Sequence, residues 1–104
     1  MRVGGLIGPF LAVAVSSTAL ADPAADRQAE LIYRLKQDCG SCHGLTLKGG
    51  LGPSLLPAAL GGKSDEFLID VILRGVPGTP MPPWAVEVSR DEAAWLVRKI
   101  KEGL

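Results

Sequence analysis

Apolar positions recur with a helical period in three parts of the chain. In the first, Ala25, Ala29, Ile32 and Leu35 line one side while Asp26, Arg27, Glu30, Arg34 and Lys36 take the other, which predicts an amphipathic helix with one packing face. Asp22-Pro23 supplies a cap and a proline for the first helical position, so this helix is expected to open there and run to Lys36 or Gln37. Ser64, followed by Asp65 and Glu66, starts a second helix, and Arg74-Gly75 stops it. It should span about 65 to 74, with Phe67, Leu68, Val71 and Ile72 buried. Ser89-Arg90-Asp91-Glu92 is a capping box. It opens a last helix to about Glu102, with Ala93, Leu96, Val97 and Ile100 on one face and Trp95 flanking it. No run alternates with the period of a strand, so the expected class is all-α.

Two segments break the pattern. From Gly44 to Gly62 the chain is rich in glycine and proline yet carries leucines at 45, 47, 51, 55, 56 and 60. Surface loops are normally polar because water solvates their backbone. Leucines here are expected to cover something that is not polypeptide, and those at 45, 51, 55, 56 and 60, with Trp84, are the candidates for its wall. Between the second and third helices, Val76-Pro77-Gly78-Thr79-Pro80-Met81-Pro82-Pro83-Trp84 holds four prolines, which exclude a regular helix and predict a stiff, extended strap.

The N-terminus has a different character. Arg2 is followed by Val3–Val15 without a charge, and then by Ser16-Ser17-Thr18-Ala19-Leu20-Ala21, which ends in the small residues that a signal peptidase reads. Residues 1–21 are expected to be a signal peptide cleaved after Ala21, leaving 22–104 as one domain. A retained anchor would need about 20 mostly apolar residues, and this stretch includes Gly4, Gly5, Gly8 and Pro9. The whole chain of 104 residues balances 11 basic against 11 acidic side chains. That balance leaves no basic field for a nucleic acid. So short a remainder, with only 5% aromatic residues in the chain, is expected to need a staple such as a disulfide, metal or cofactor.

The candidate staple is Cys39-Gly40-Ser41-Cys42-His43. Two thiols one helical turn apart can reach the two vinyl groups of a haem, and the adjacent imidazole can face its iron. Three other uses of these residues stand beside that one. A thioredoxin-like dithiol follows a strand in an α/β domain, and no strand precedes Cys39. A structural zinc site needs four ligands, one more than two cysteines and the single histidine provide. A plain disulfide would leave His43 and the apolar loop without a purpose. Within the haem reading a second imidazole is impossible in one chain, and Met81 is the only methionine beyond Met1. Methionine often fills gaps in a core, but prolines at 80, 82 and 83 restrict this one, and thioether with imidazole is an established axial pair. His43 and Met81 are therefore the expected iron ligands.

These residues resemble the class I c-type cytochromes. The likeness rests on Cys39 to His43, Gly52-Pro53-Ser54-Leu55, the Pro80-Met81-Pro82 strap and the final amphipathic helix. It implies a small cytochrome c fold, with helices packed round one haem c attached through two thioethers. It also implies that the Pro53 carbonyl accepts a hydrogen bond from His43 and orients the ring. A narrower likeness, carried by 44–53 and 75–84, is to the small periplasmic NirC-type cytochromes found with dissimilatory nitrite reductases. That resemblance implies a monomeric periplasmic electron carrier, not an enzyme, without stable membrane insertion after cleavage. Its partners would be nitrite reductase and an upstream quinol-linked donor. An accessory role in maturing the special haem of that reductase, or a ligand-binding sensor in which Met81 dissociates, are the alternatives. The near-neutral charge confines any docking surface to a local patch, for which Lys48, Lys63 and Arg74 are weak candidates, simple solvation being their more ordinary role.

Overall fold

Leu31, Leu35, Leu68, Trp95, Val97 and Ile100 meet in one core, although they come from helices far apart in sequence. The computed structural model describes residues 4–5, 8–13 and 22–104; the expected cleavage point at Ala21 lies outside the described residues. The described elements are α1 (Ala25–Arg34), a π-helical turn (Leu35–Cys39), α2 (Gly40–His43), α3 (Pro57–Leu60), α4 (Asp65–Arg74) and α5 (Arg90–Glu102). There is no strand among the described residues, and the all-α expectation holds.

The last two helices lie where the capping pattern places them. Ser64 Oγ accepts the amide of Phe67 at 3.2 Å, and Gly75 ends α4 at a φ of 66°. At α5 the box is closed on both sides: Ser89 Oγ accepts from the Glu92 amide at 3.1 Å, and the Glu92 carboxylate accepts from the Ser89 amide at 2.9 Å. α4 packs on α5, so five consecutive residues of α5, Ala93 to Val97, are buried. Trp95 is thus part of the core and not merely beside it, with Lys99 Nζ 5.3 Å from its ring centre.

The N-terminal part departs from expectation in three ways. α1 begins at Ala25, with Ala24 in the cap position and no side-chain cap, because the Asp22 carboxylate is engaged by Arg98 of α5 at 2.8 Å. The buried residues are Leu31 and Leu35, while Ala25 and Ala29 are exposed. Arg27 explains this rotation: it binds the Glu92 carboxylate of α5 and the Glu87 carbonyl, which turns the Arg27/Leu31/Leu35 side toward α5. Nor does the helix stop near Gln37, since the π turn carries it through to His43. Continued α geometry would rotate every fourth residue about 40° further round the axis. The wider turn winds less per residue and keeps Cys39 packed against the core that holds Leu31 and Leu35.

The ion pair has a pH signature. Hydrogen bonding from Arg27, and then from the Ser89 amide, lowers the Glu92 carboxyl from 4.5 to about 2. Its contribution to stability is complete above pH 4.5 and is lost as pH falls toward 2. Thermal melts should show a midpoint that drops across this window more steeply in the wild type than in Glu92→Gln. Equal slopes would contradict the assignment.

Candidate functional site

Half of the core borders a cavity of about 360 Å³, within the size range of small-molecule and cofactor sites. Leu35, Leu60, Leu68, Val88, Leu96 and Ile100 face both the packed core and this space. The wall is completed by Cys39, Cys42, His43, Pro53 and Met81, so every residue singled out in the sequence for haem chemistry lies on one surface.

The Cys39–His43 string is presented by the π turn and α2. The two cysteines are not bonded to each other and are half-buried. Burial pushes the Cys39 thiol up, and the neighbouring Asp38 carboxylate adds to the effect. Reactive dithiols are shifted the other way, so a thioredoxin-like use is disfavoured. No group of three or more His, Cys, Asp or Glu residues able to hold a metal ion occurs among the described residues.

After His43 the chain reverses through Gly44 at a φ of 91°. The loop then folds back through the bonds Gly49 amide to His43 carbonyl at 2.8 Å and Gly52 amide to Cys42 carbonyl at 2.7 Å. Leu47 anchors it: the side chain is buried, its carbonyl accepts the Leu55 amide at 2.9 Å, and its φ of 60° is unusual for a branched residue. This return brings the Pro53 carbonyl to 2.7 Å from His43 Nδ1. A carbonyl can only accept, so Nδ1 carries the proton and the lone pair of the neutral ring resides on Nε2. Gly52 lies against the same ring; a Cβ there would stand 2.8 Å from two imidazole atoms. Its role was not read from the sequence, where Gly52 is one of many loop glycines.

The leucine-rich loop divides its labour differently from expectation. Leu51, Leu55 and Leu60, with Trp84, do line the cavity. Leu45 and Leu56 do not, and are exposed, while Leu47 belongs to the core. Phe67, expected in the buried stripe of α4, is 54% exposed at the cavity wall, and Ile69 is buried in its place. Arg34 and Asp38 of the wall went unnoticed because they sit among the polar positions of the first helix. Their spacing of four residues was the available signal, and Arg34 does bind both Asp38, at 3.7 Å, and Glu87.

The strap carries Met81 to the wall without regular structure. The Met81 carbonyl accepts the Val76 amide at 3.1 Å, and the amides of Trp84 and Ala85 return to the carbonyls of Ile72 and Leu73 at 3.0 and 3.2 Å. Those carbonyls belong to the last turn of α4, where no helical partner remains for them.

An apolar cavity bordered by two thiols, one imidazole with a free nitrogen and one thioether fits a covalently tethered haem. Comparison with known proteins agrees. Residues 24–98 match the family described as cytochrome C oxidase, cbb3-type, subunit III. The chain is similar to cytochrome c55X of Pseudomonas aeruginosa, 59% identical over 81 residues, covering 78% of this chain and 68% of that one. It is also similar to a solved c-type cytochrome NirC, with 59% identity and a TM-score of 0.77 over 78% of this chain and 95% of the other. A third similarity, 40% over 89 residues, is to the dihydro-heme d1 dehydrogenase of Pseudomonas aeruginosa; it spans 86% of this chain and 17% of that protein. The chain thus belongs to the class I c-type cytochromes, as a NirC-type member with one covalently bound haem c.

Proposed function

We propose that this cytochrome carries single electrons in the periplasm to a dissimilatory nitrite reductase, receiving them from a quinol-linked donor. Residues 1–21 are the signal that exports it, and 22–104 are the working domain. Cys39 and Cys42 would hold the haem as thioethers, His43 and Met81 would ligate its iron, and the Pro53 carbonyl orients the imidazole. The single observation that carries the reading is that His43 and Met81 share the wall of one cavity. With both side chains given to the iron, no place would remain for a substrate. The bound haem supplies one-electron exchange at its iron. The protein's share is to exclude water with Leu35, Leu55, Leu60 and Leu96, which disfavours the extra charge of the oxidised state. No helix among the described residues is long and apolar enough to cross a membrane.

Charge favours docking to an acidic partner on the side formed by residues 39–63 and 71–86, which contain Lys48, Lys63 and Arg74 but no carboxylate. Lys63 lines the cavity itself, as do Arg34 and Asp38, which pair with each other. Around them Leu51, Phe67 and Val76 are exposed. Such a rim combines apolar contact with steering by opposite charge. Stopped-flow mixing of the reduced cytochrome with the reductase should show electron transfer that slows as salt is added. Absence of transfer at any ionic strength would reject the reductase as partner. The likeness to dihydro-heme d1 dehydrogenase favours a second reading, an accessory role in maturing the reductase's special haem. That role predicts that deleting the cytochrome leaves the reductase with incomplete haem and without turnover whichever donor is supplied, whereas loss of a carrier alone leaves the reductase complete and active with other donors.

A further inference from the structure

The strap is held in place from behind as well as from its ends. Gly75 turns the chain out of α4 at a φ of 66° and lies directly against the strap. A Cβ at this position would stand 2.6 Å from the Met81 carbonyl oxygen, 2.7 Å from the Pro82 carbonyl carbon and 2.8 Å from the Pro83 nitrogen. All three are backbone atoms. Side chains can swing aside, but a peptide flanked by two proline rings has little freedom to do so.

Ordinary contact with a Cβ begins at 3.4 Å, so a methyl group at 75 would have to displace the 81–83 backbone by roughly 0.8 Å, beyond what close-packed structure absorbs without rearrangement. The strap is also tied near this point: the Val76 amide donates to the Met81 carbonyl at 3.1 Å, and Thr79 Oγ1 bridges the Val76 carbonyl at 2.7 Å and the Met81 amide at 3.3 Å. On the far side, the Trp84 and Ala85 amides fasten it to Ile72 and Leu73. Between these ties, the thickness of residue 75 sets how far the Met81 backbone stands from the end of α4.

We propose that Gly75 is a positioning residue for Met81: the absence of a side chain at the end of α4 sets the depth at which the strap presents the thioether to the cavity. This rests on the reading of Met81 as an axial ligand, and it deepens that reading by naming what holds the ligand at its distance.

Gly78 provides the control. Its φ of 78° is positive like that of Gly75, but a Cβ there meets nothing within 4 Å. Haem-loaded Gly75→Ala, Gly78→Ala and Met81→Ala should be compared by the weak red-edge absorbance of sulfur bound to ferric iron, by carbon monoxide binding to the reduced protein, and by circular dichroism. Gly75→Ala is expected to keep its helix content, lose most of the red-edge band and bind carbon monoxide at least about tenfold more readily than wild type, a modest free-energy change. Gly78→Ala should retain the band and stay inert to carbon monoxide. If Met81→Ala keeps the band, the ligand reading itself fails. If Met81→Ala loses it while Gly75→Ala behaves like Gly78→Ala, the positioning role is overturned and the ligand stands.

Poor folding of Gly75→Ala is read by repeating the substitution in the Met81→Ala background, where the strap is free of the iron. A smaller drop in melting temperature there supports the coupling between the two positions. An equal drop, or failure to fold in both backgrounds, assigns the glycine to the fold as a whole and overturns the proposal.

Discussion

Met81→Ala is expected to convert a haem with two protein ligands into one with an open sixth position. Only one methionine and one histidine exist between residues 22 and 104, and both lie on the cavity wall, so these residues offer no second thioether or imidazole to take the vacated place. The oxidised variant should lack the red-edge sulfur band, and the reduced one should bind carbon monoxide. Its reduction potential should also fall, because a thioether ligand favours the reduced iron relative to a harder replacement such as water. Each tenfold loss of that preference appears as about 59 mV in a one-electron couple, and a fall of at least one such step is expected. Persistence of the band in the variant would eliminate Met81 as the ligand.

The second large effect concerns the polypeptide without its haem. Leu35, Leu60, Leu68, Val88, Leu96 and Ile100 each face the cavity as well as the core, so removing the occupant hollows the protein beside its main helix contact. At about 24 cal/mol for each Å³ of cavity, the 360 Å³ space corresponds to about 9 kcal/mol. This is an upper bound, because one side of the space opens to solvent. Even a fraction of it is comparable to the roughly 5–15 kcal/mol that stabilises ordinary domains. Cys39→Ala/Cys42→Ala, made without haem attachment, should therefore keep part of its helix content and lose its cooperative melt, as molten states do. The Arg27–Glu92 pair and the buried α5 residues Ala93, Trp95 and Val97, which do not border the cavity, explain the residual helix. A sharp calorimetric transition with native-like helicity in this apoprotein would show that the polypeptide core is sufficient.

Both expectations start from features that are local in sequence. The spacing Cys39-x-x-Cys42-His43 is dictated by the reach of two thioethers, and a capping box such as Ser89 to Glu92 closes within four residues. The prolines of the strap forbid a helix whatever surrounds them. Each of these depends on bonds or sterics between near neighbours, and each was legible before the fold was known. The family resemblance drew on the same short segments.

What eluded the sequence were properties that depend on a second element. The face of α1 that is buried was set by an ion pair reaching Glu92, 65 residues away, and the π turn that brings Cys39 to the cavity leaves no mark in hydrophobic spacing. Leu45, Leu47 and Leu51 are the same residue type in one loop, yet the first is exposed, the second is in the core and the third borders the cavity. Their fates follow from the path that Gly44 and Leu47 impose on the backbone. Gly52 and Gly75 look like turn glycines in the sequence. Only the tertiary structure places one against the His43 ring and the other against the Met81 backbone, because a close approach between distant segments is determined by where the chain returns, and local preferences do not encode that.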